Sequence, residues 1–149
     1  MKTGQKYIIS ISTAFIIVIL DQATKFLIKS SLQPNQSLPL IENIFHLTYT
    51  TNTGSAFGLF KNFNSIFVII SFIVASYIIY YILKSGNKKN SAYIILGMLL
   101  GGTIGNLTDR IFFGYVIDFI DFRIWPVFNI ADSAVSISIA FLIVLLWKK

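Results

Sequence analysis

The chain has 149 residues, of which 55% are hydrophobic and 12% charged. A soluble domain carries about 25% charged residues, so this composition belongs to a membrane protein and excludes a disordered chain or a coiled coil. With no cysteine there is no disulfide framework, thiolate nucleophile or Cys-based metal site, and a single His argues against a zinc enzyme.

Four stretches are apolar enough to cross a membrane, a task that takes about 20 residues. They cover residues 7–28, 65–83, 92–107 and 127–147, with an outer segment at 29–64. The expected fold is therefore an integral membrane, all-α protein: four transmembrane helices in one domain over 1–149, with a small extracytoplasmic β-cradle. The first stretch follows Lys2 and Lys6 like a signal peptide. It runs into Asp21-Gln22-Ala23-Thr24-Lys25 rather than a small-residue cleavage site, which reads as a retained anchor.

In the outer segment, Phe45-His46-Leu47-Thr48-Tyr49-Thr50 alternates apolar and polar residues, the period of a half-buried strand. Leu38-Pro39-Leu40-Ile41 is placed to pair with it. The uncharged run 54–60 suits a loop or short helix in the outer interface. Lys2, Lys6, Lys84, Lys88, Lys89, Lys148 and Lys149 all fall on one side of the alternating spans, and the positive-inside rule makes that side the cytoplasm. The net charge of +6 is thus topological, and no aromatic-interleaved basic patch suggests nucleic acid as a partner. Trp125 and Trp147 fit interface anchors on the two sides.

Six carboxylates remain to be explained, and acids inside apolar stretches mark function by default. Asp21 lies roughly 21 Å along the first helix from Tyr7, in the outer third of a core about 30 Å thick. Lys25 follows one turn later, where an i,i+4 pair can form. Asn106, Asp109 and Arg110 share a face at the outer end of the third helix. Asn129, Asp132 and Ser133 share one at the outer start of the fourth. Asp118 lies in the connection between them. Two carboxylates in close contact cannot easily both ionise near neutral pH, so one keeps a proton and the other is a base. Such a pair activates water without a metal or covalent intermediate. A Ser133/Lys25 nucleophilic pair is the weaker alternative, because Asp21 competes for Lys25. A proton-coupled transporter or a non-catalytic assembly protein could carry the same acids.

Five blocks carry a resemblance. They are Leu20-Asp21-Gln22-Ala23-Thr24-Lys25, Asn52-Thr53-Gly54-Ser55-Ala56-Phe57, residues 101–110 from Gly101 to Arg110, Val116-Ile117-Asp118-Phe119, and Phe128-Asn129-Ile130-Ala131-Asp132-Ser133. In this order they resemble the lipoprotein signal peptidase family, also called signal peptidase II. The resemblance implies an aspartic endopeptidase of the bacterial plasma membrane, with both termini cytoplasmic and the site at the outer face. Its substrates are prolipoproteins bearing diacylglycerol on the lipobox cysteine, and it cleaves just before that cysteine. It implies Asp118 and Asp132 as the catalytic pair, and Asp21, Lys25, Asn52, Gly54, Asn106, Arg110, Asn129 and Ala131 as substrate-binding or supporting positions. No metal or cofactor is implied. Membrane lipid is a further partner, globomycin-type cyclic peptides are the expected inhibitors, and a monomer is expected. Thr51 stands where the family usually has a basic residue, and Ser55 where it commonly has Ala.

Blander roles stand beside these. Asp21 and Lys25 can be an ion pair holding helix 1 or a polar wall of the site. Asn106 and Asn129 can orient the acids or act as interhelical glue. Asp109 reads as structural, and Arg110 as a holder of a carboxylate or lipid phosphate. Asp121 and Arg123 read as solvated loop charges, and His46 as a surface residue.

Overall fold

The computed structural model describes residues 3–54, 63–86 and 89–147. Elements follow in the order α1 (Thr3–Ser31), β1 (Ser37–Ile41), β2 (Phe45–Asn52), α2 (Asn64–Lys84), α3 (Asn90–Phe112), β3 (Val116–Asp121) and α4 (Ile130–Trp147). Among the described residues α1, α2 and α3 are long and apolar enough to cross a membrane, while α4 contributes a shorter apolar stretch, Ile130–Leu145. Most of the interfacial run 54–60 lies outside the described residues.

α3 is the central helix and packs on α1, α2 and α4. Its glycines make this possible. A Cβ on Gly101 would stand 2.7 Å from the Ala14 carbonyl oxygen of α1, and one on Gly102 would stand 2.5 Å from that of Ala131 on α4. Small residues let backbones approach this closely where lipid supplies no hydrophobic drive. An apolar cluster that includes Ala14, Ala75, Ile78, Leu96 and Leu100 joins α1, α2 and α3. At the end of the bundle opposite the sheet stands Lys6, one of the basic residues grouped on one side of the spans. It is buried, and its Nζ donates to the Ser85 carbonyl at 2.6 Å. A cation at that position complements the exposed carbonyls and dipole of the α2 C-terminus.

α3 is longer than the apolar run alone indicated. It continues past Leu107 for more than a turn, because Asp109 finds partners inside the protein. It stops at Gly114, which adopts a φ of +80° and donates to the Arg110 carbonyl at 3.2 Å. A left-handed residue after the last turn is the common helix stop.

The strands form one antiparallel sheet of order β1-β2-β3. The β1–β2 hairpin follows the sequence expectation, turning through Asn43 at φ 59°. β3 occupies what the sequence left as a plain connection. It is buried along most of its length, and its register sets Thr50 opposite Asp118 and His46 opposite Asp121. Beneath the sheet, Ile28 and Leu32 of α1 pack with Tyr49, Ile117 and Phe119. That cluster joins the sheet to the bundle and fixes the height of Asp118 relative to α3 and α4.

Asp121 is not a solvated charge. It is buried and accepts from the Thr48 hydroxyl at 2.7 Å, the Arg123 amide at 2.8 Å and the Arg123 guanidinium at 3.1 Å. Burial acts to raise its pKa, but these donors and the Arg123 charge outweigh it and hold the carboxyl below the usual range.

Candidate active site

The site is built around Asn129, the residue just before α4. Its Oδ1 accepts the Asp132 amide at 2.8 Å, and Asp132 Oδ2 in return accepts the Asn129 amide at 3.3 Å. This is a reciprocal capping box, with Asn at the cap and Asp three residues on. The same local chemistry that starts the helix therefore fixes the Asp132 carboxylate. The Asn129 Nδ2 is left to face β3, where it donates to Asp118 Oδ1 at 2.7 Å and to the Ile117 carbonyl at 3.2 Å.

Each carboxylate has a second amide on its other oxygen. Asn52 Nδ2 of β2 donates to Asp118 Oδ2 at 3.2 Å, and Asn106 Nδ2 of α3 donates to Asp132 Oδ1 at 2.7 Å. Asp118 is 3% exposed. Its pKa is pushed up to about 7, first by burial and then by the charge of Asp132, against the two amide donors.

Behind the pair lies a buried ionic group. Lys25 Nζ sits 2.7 Å from Asp21 Oδ2, 2.9 Å from Asp109 Oδ2 and 3.1 Å from Asn106 Oδ1. Asp21 and Asp109 are fully buried. Asp21 Oδ1 accepts the Ala131 amide at 2.9 Å, so Ala131 takes part through its backbone at the positive end of α4. Asp109 Oδ2 accepts the Ile117 amide at 3.0 Å, and Gln22 Nε2 donates to Asp109 Oδ1 at 2.9 Å and to Asp21 Oδ2 at 3.1 Å. Ionised groups this deep persist only when paired and hydrogen-bonded, and here every oxygen of both acids is taken.

Asp118 and Asp132 open onto a cleft of about 780 Å³. One wall is the β2 end, Thr50 to Gly54, with Arg110. The other is Trp125 to Phe128 with Ser133, Val135, Ser136 and Ile137 of α4. All ten residues singled out in the sequence gather here, but in two layers. Asp118, Asp132, Asn52, Gly54 and Arg110 line the cleft; Asp21, Lys25, Asn106, Asn129 and Ala131 stand behind it. Asp21 and Lys25 are thus the ion pair rather than the polar wall. The Arg110 guanidinium donates to the Gly54 carbonyl at 3.3 Å and the Asn106 carbonyl at 3.5 Å, over the Phe67 ring, and among the described residues it reaches no carboxylate.

Gln22 and the reach of Asp109 across to Lys25 do not stand out in the sequence. Both sit in the motifs, and the i+3 spacing from Asn106 already set Asp109 on the same face. What was missing was the rotation of α3 against α1.

Fold and site together define a membrane-embedded protein with paired carboxylates at the mouth of a cleft. The family model for signal peptidase (SPase) II matches residues 13–148. The chain is 44% identical over 136 residues to the lipoprotein signal peptidase of Halothermothrix orenii, covering 90% of this chain and 92% of that one. It is 47% identical over 123 residues to that of Caldanaerobacter subterraneus subsp. tengcongensis, covering 81% and 83%. A solved bacterial membrane enzyme superposes with a TM-score of 0.88 at 33% identity, covering 93% of this chain and 87% of the other. A second solved bacterial membrane enzyme gives 0.85 at 33% identity, with 94% and 93% covered. The chain belongs to the signal peptidase II family and is a membrane peptidase.

Proposed function

We propose that this peptidase is of the aspartic type and removes the signal peptide from diacylglyceryl-modified prolipoproteins, cutting before the lipid-modified cysteine. In this reading one domain crosses a bacterial plasma membrane four times as a monomer. Both termini are cytoplasmic and the cleft opens at the outer face. The observation that carries the reading is the shared Asn129, which donates to Asp118 and caps against Asp132. It supports a pair held as one unit, as water activation by two carboxylates requires.

Asp132 is the base. It sits in the first turn of α4, held by the Asn106 side-chain amide and the Asn129 backbone N–H. Asp118, with its pKa pushed up to about 7, is about half protonated at neutral pH and supplies the proton. Water attacks the scissile carbonyl carbon as Asp132 takes its proton, while the Asp118 proton bonds the carbonyl oxygen. A proton then passes to the leaving nitrogen and the C–N bond breaks. The signal peptide leaves as an acid and the lipid-modified cysteine as a free amine. Globomycin-type cyclic peptides are expected to block the cleft. The apolar cluster between the acids and the Lys6 end speaks against a proton path through the bundle.

The test incubates purified protein with a diacylglyceryl-modified prolipoprotein and resolves the products by mass. Asp118→Asn and Asp132→Asn are each expected to abolish cleavage. Cleavage by both at the normal rate would remove the pair from the mechanism.

A further inference from the structure

Between β3 and α4 the chain makes a short loop, residues 123–127, whose neck is closed. Ile120 and Phe128 exchange backbone hydrogen bonds at 2.7 and 3.1 Å, and the Phe122 ring stacks on Phe45 at 5.2 Å and on Phe128 at 6.0 Å. Arg123 takes a left-handed φ of 65°, and its amide and guanidinium are both held by Asp121. The loop is therefore built rather than slack. Its only charge is already paired, and its tip is Ile124-Trp125-Pro126-Val127. Ile124 is 93% exposed, the highest value among the described large hydrophobic residues.

A rigid turn that holds an isoleucine outward, beside a tryptophan, fits an apolar surround better than water. Trp and aliphatic side chains flanked by a basic residue are the composition that sits at the headgroup boundary of a bilayer. The loop is also continuous with the membrane-embedded part of the protein. It leads within three residues into α4, whose Ile139, Phe141 and Ile143 are exposed as lipid-facing residues are. Trp125 belongs to the cleft wall as well.

We propose that loop 123–127 is a membrane anchor that sinks Ile124 and Trp125 into the leaflet beside the cleft and holds the cleft mouth at headgroup depth. The occupant of this surface is lipid. Only the choice of the outer leaflet rests on the topology proposed above; contact with lipid does not.

Trp125 and Trp147 are the two tryptophans, so Trp147→Phe leaves Trp125 as the only one. The full chain carrying that change is reconstituted in phosphatidylcholine/phosphatidylglycerol vesicles with bromine at defined acyl positions. Trp125 emission is expected to fall with bromine near the carbonyl end of the chains, to fall less with bromine near the methyl end, and to resist aqueous iodide. Adding Ile124→Asp is expected to cut the bromine quenching at least twofold and raise iodide quenching. Iodide quenching without bromine quenching overturns the proposal, as does shielding from both, which means protein covers the loop. So does a quenching pattern that Ile124→Asp leaves unchanged. None of these readouts depends on cleavage, so a failure of the anchor is distinguishable from a failure of the proposed reaction.

Discussion

Asp109 holds the peptide just before Asp118: its Oδ2 accepts the Ile117 amide at 3.0 Å, while the Ile117 carbonyl accepts Asn129 Nδ2 at 3.2 Å. The same carboxylate pairs with Lys25, so α1, α3 and β3 meet at one group. Removing one partner of a buried ion pair costs about 3–5 kcal/mol, because the other charge is left uncompensated. Asp109→Ala is expected to lower stability by an amount in that range. Asp109→Asn, which keeps an acceptor for the Ile117 amide, is expected to fall between Ala and the parent. Thermal unfolding in detergent checks the order, and equal melting of all three would remove Asp109 from the framework.

Asn129 does two separable jobs. Its Oδ1 caps α4, and its Nδ2 reaches Asp118. Ser at the cap satisfies the helix but does not reach β3, and Ala does neither. Asn129→Ser and Asn129→Ala are therefore expected to lose activity alike, by about 100-fold or more, the range seen when a single preorganised hydrogen-bond donor is removed. Their stabilities are expected to differ by about 1 kcal/mol in favour of Ser. Parallel kcat and unfolding measurements separate the two roles. Activity retained in Asn129→Ser would show that the contact to Asp118 is dispensable.

The helices were legible because apolar runs of membrane length have few other uses. Their ends were less so. Asp109 and Arg110 look like a helix stop in one dimension, yet Lys25 and the β3 backbone keep Asp109 inside α3. Asp118 and Asp132 could be placed at one level by counting residues. Their bridging amide could not, because Asn129 reaches Asp118 only once β3 pairs with β2. Asp121 reads as a solvated charge in the sequence for the same reason: the Thr48 hydroxyl that bonds it lies 73 residues away. β3 itself is buried along most of its length and carries one aspartate on each face, so it has no apolar–polar alternation to announce it.

The raised pKa of Asp118 gives a signed pH dependence. The folded carboxyl titrates near 7 and the unfolded one near 3.8. Between those values the folded state holds a proton that the unfolded state has lost, so this group's contribution to stability falls as pH rises through that window and levels off above about 7. If Asp118 is the proton-bearing member, kcat/KM is expected to decline on the alkaline side with a midpoint within about a unit of 7. A profile from pH 5 to 9 with a lipidated substrate tests it. A flat profile across 6 to 8 would assign the acid to another group.

Gly105 is where packing and chemistry meet. A Cβ there would stand 2.7 Å from Asp21 Oδ2 and 3.2 Å from the Ala131 Cβ, and the Gly105 carbonyl accepts Gln22 Nε2 at 3.2 Å. The added methyl therefore pushes on the carboxylate that holds both Lys25 and the Ala131 amide. Overpacking of this kind costs about 1–3 kcal/mol. Gly105→Ala is expected to lower stability by that amount and to slow cleavage, since moving Asp21 shifts the start of α4 and with it Asp132. Gly4→Ala is the control: its Cβ would meet nothing within 4 Å, and helix propensity changes by no more than about 1 kcal/mol in its favour. Unfolding curves and initial rates for the two variants distinguish a local clash from a general effect of replacing glycine. Equal behaviour would mean that α1 and α4 tolerate more separation than the 2.9 Å bond between Asp21 and Ala131 implies.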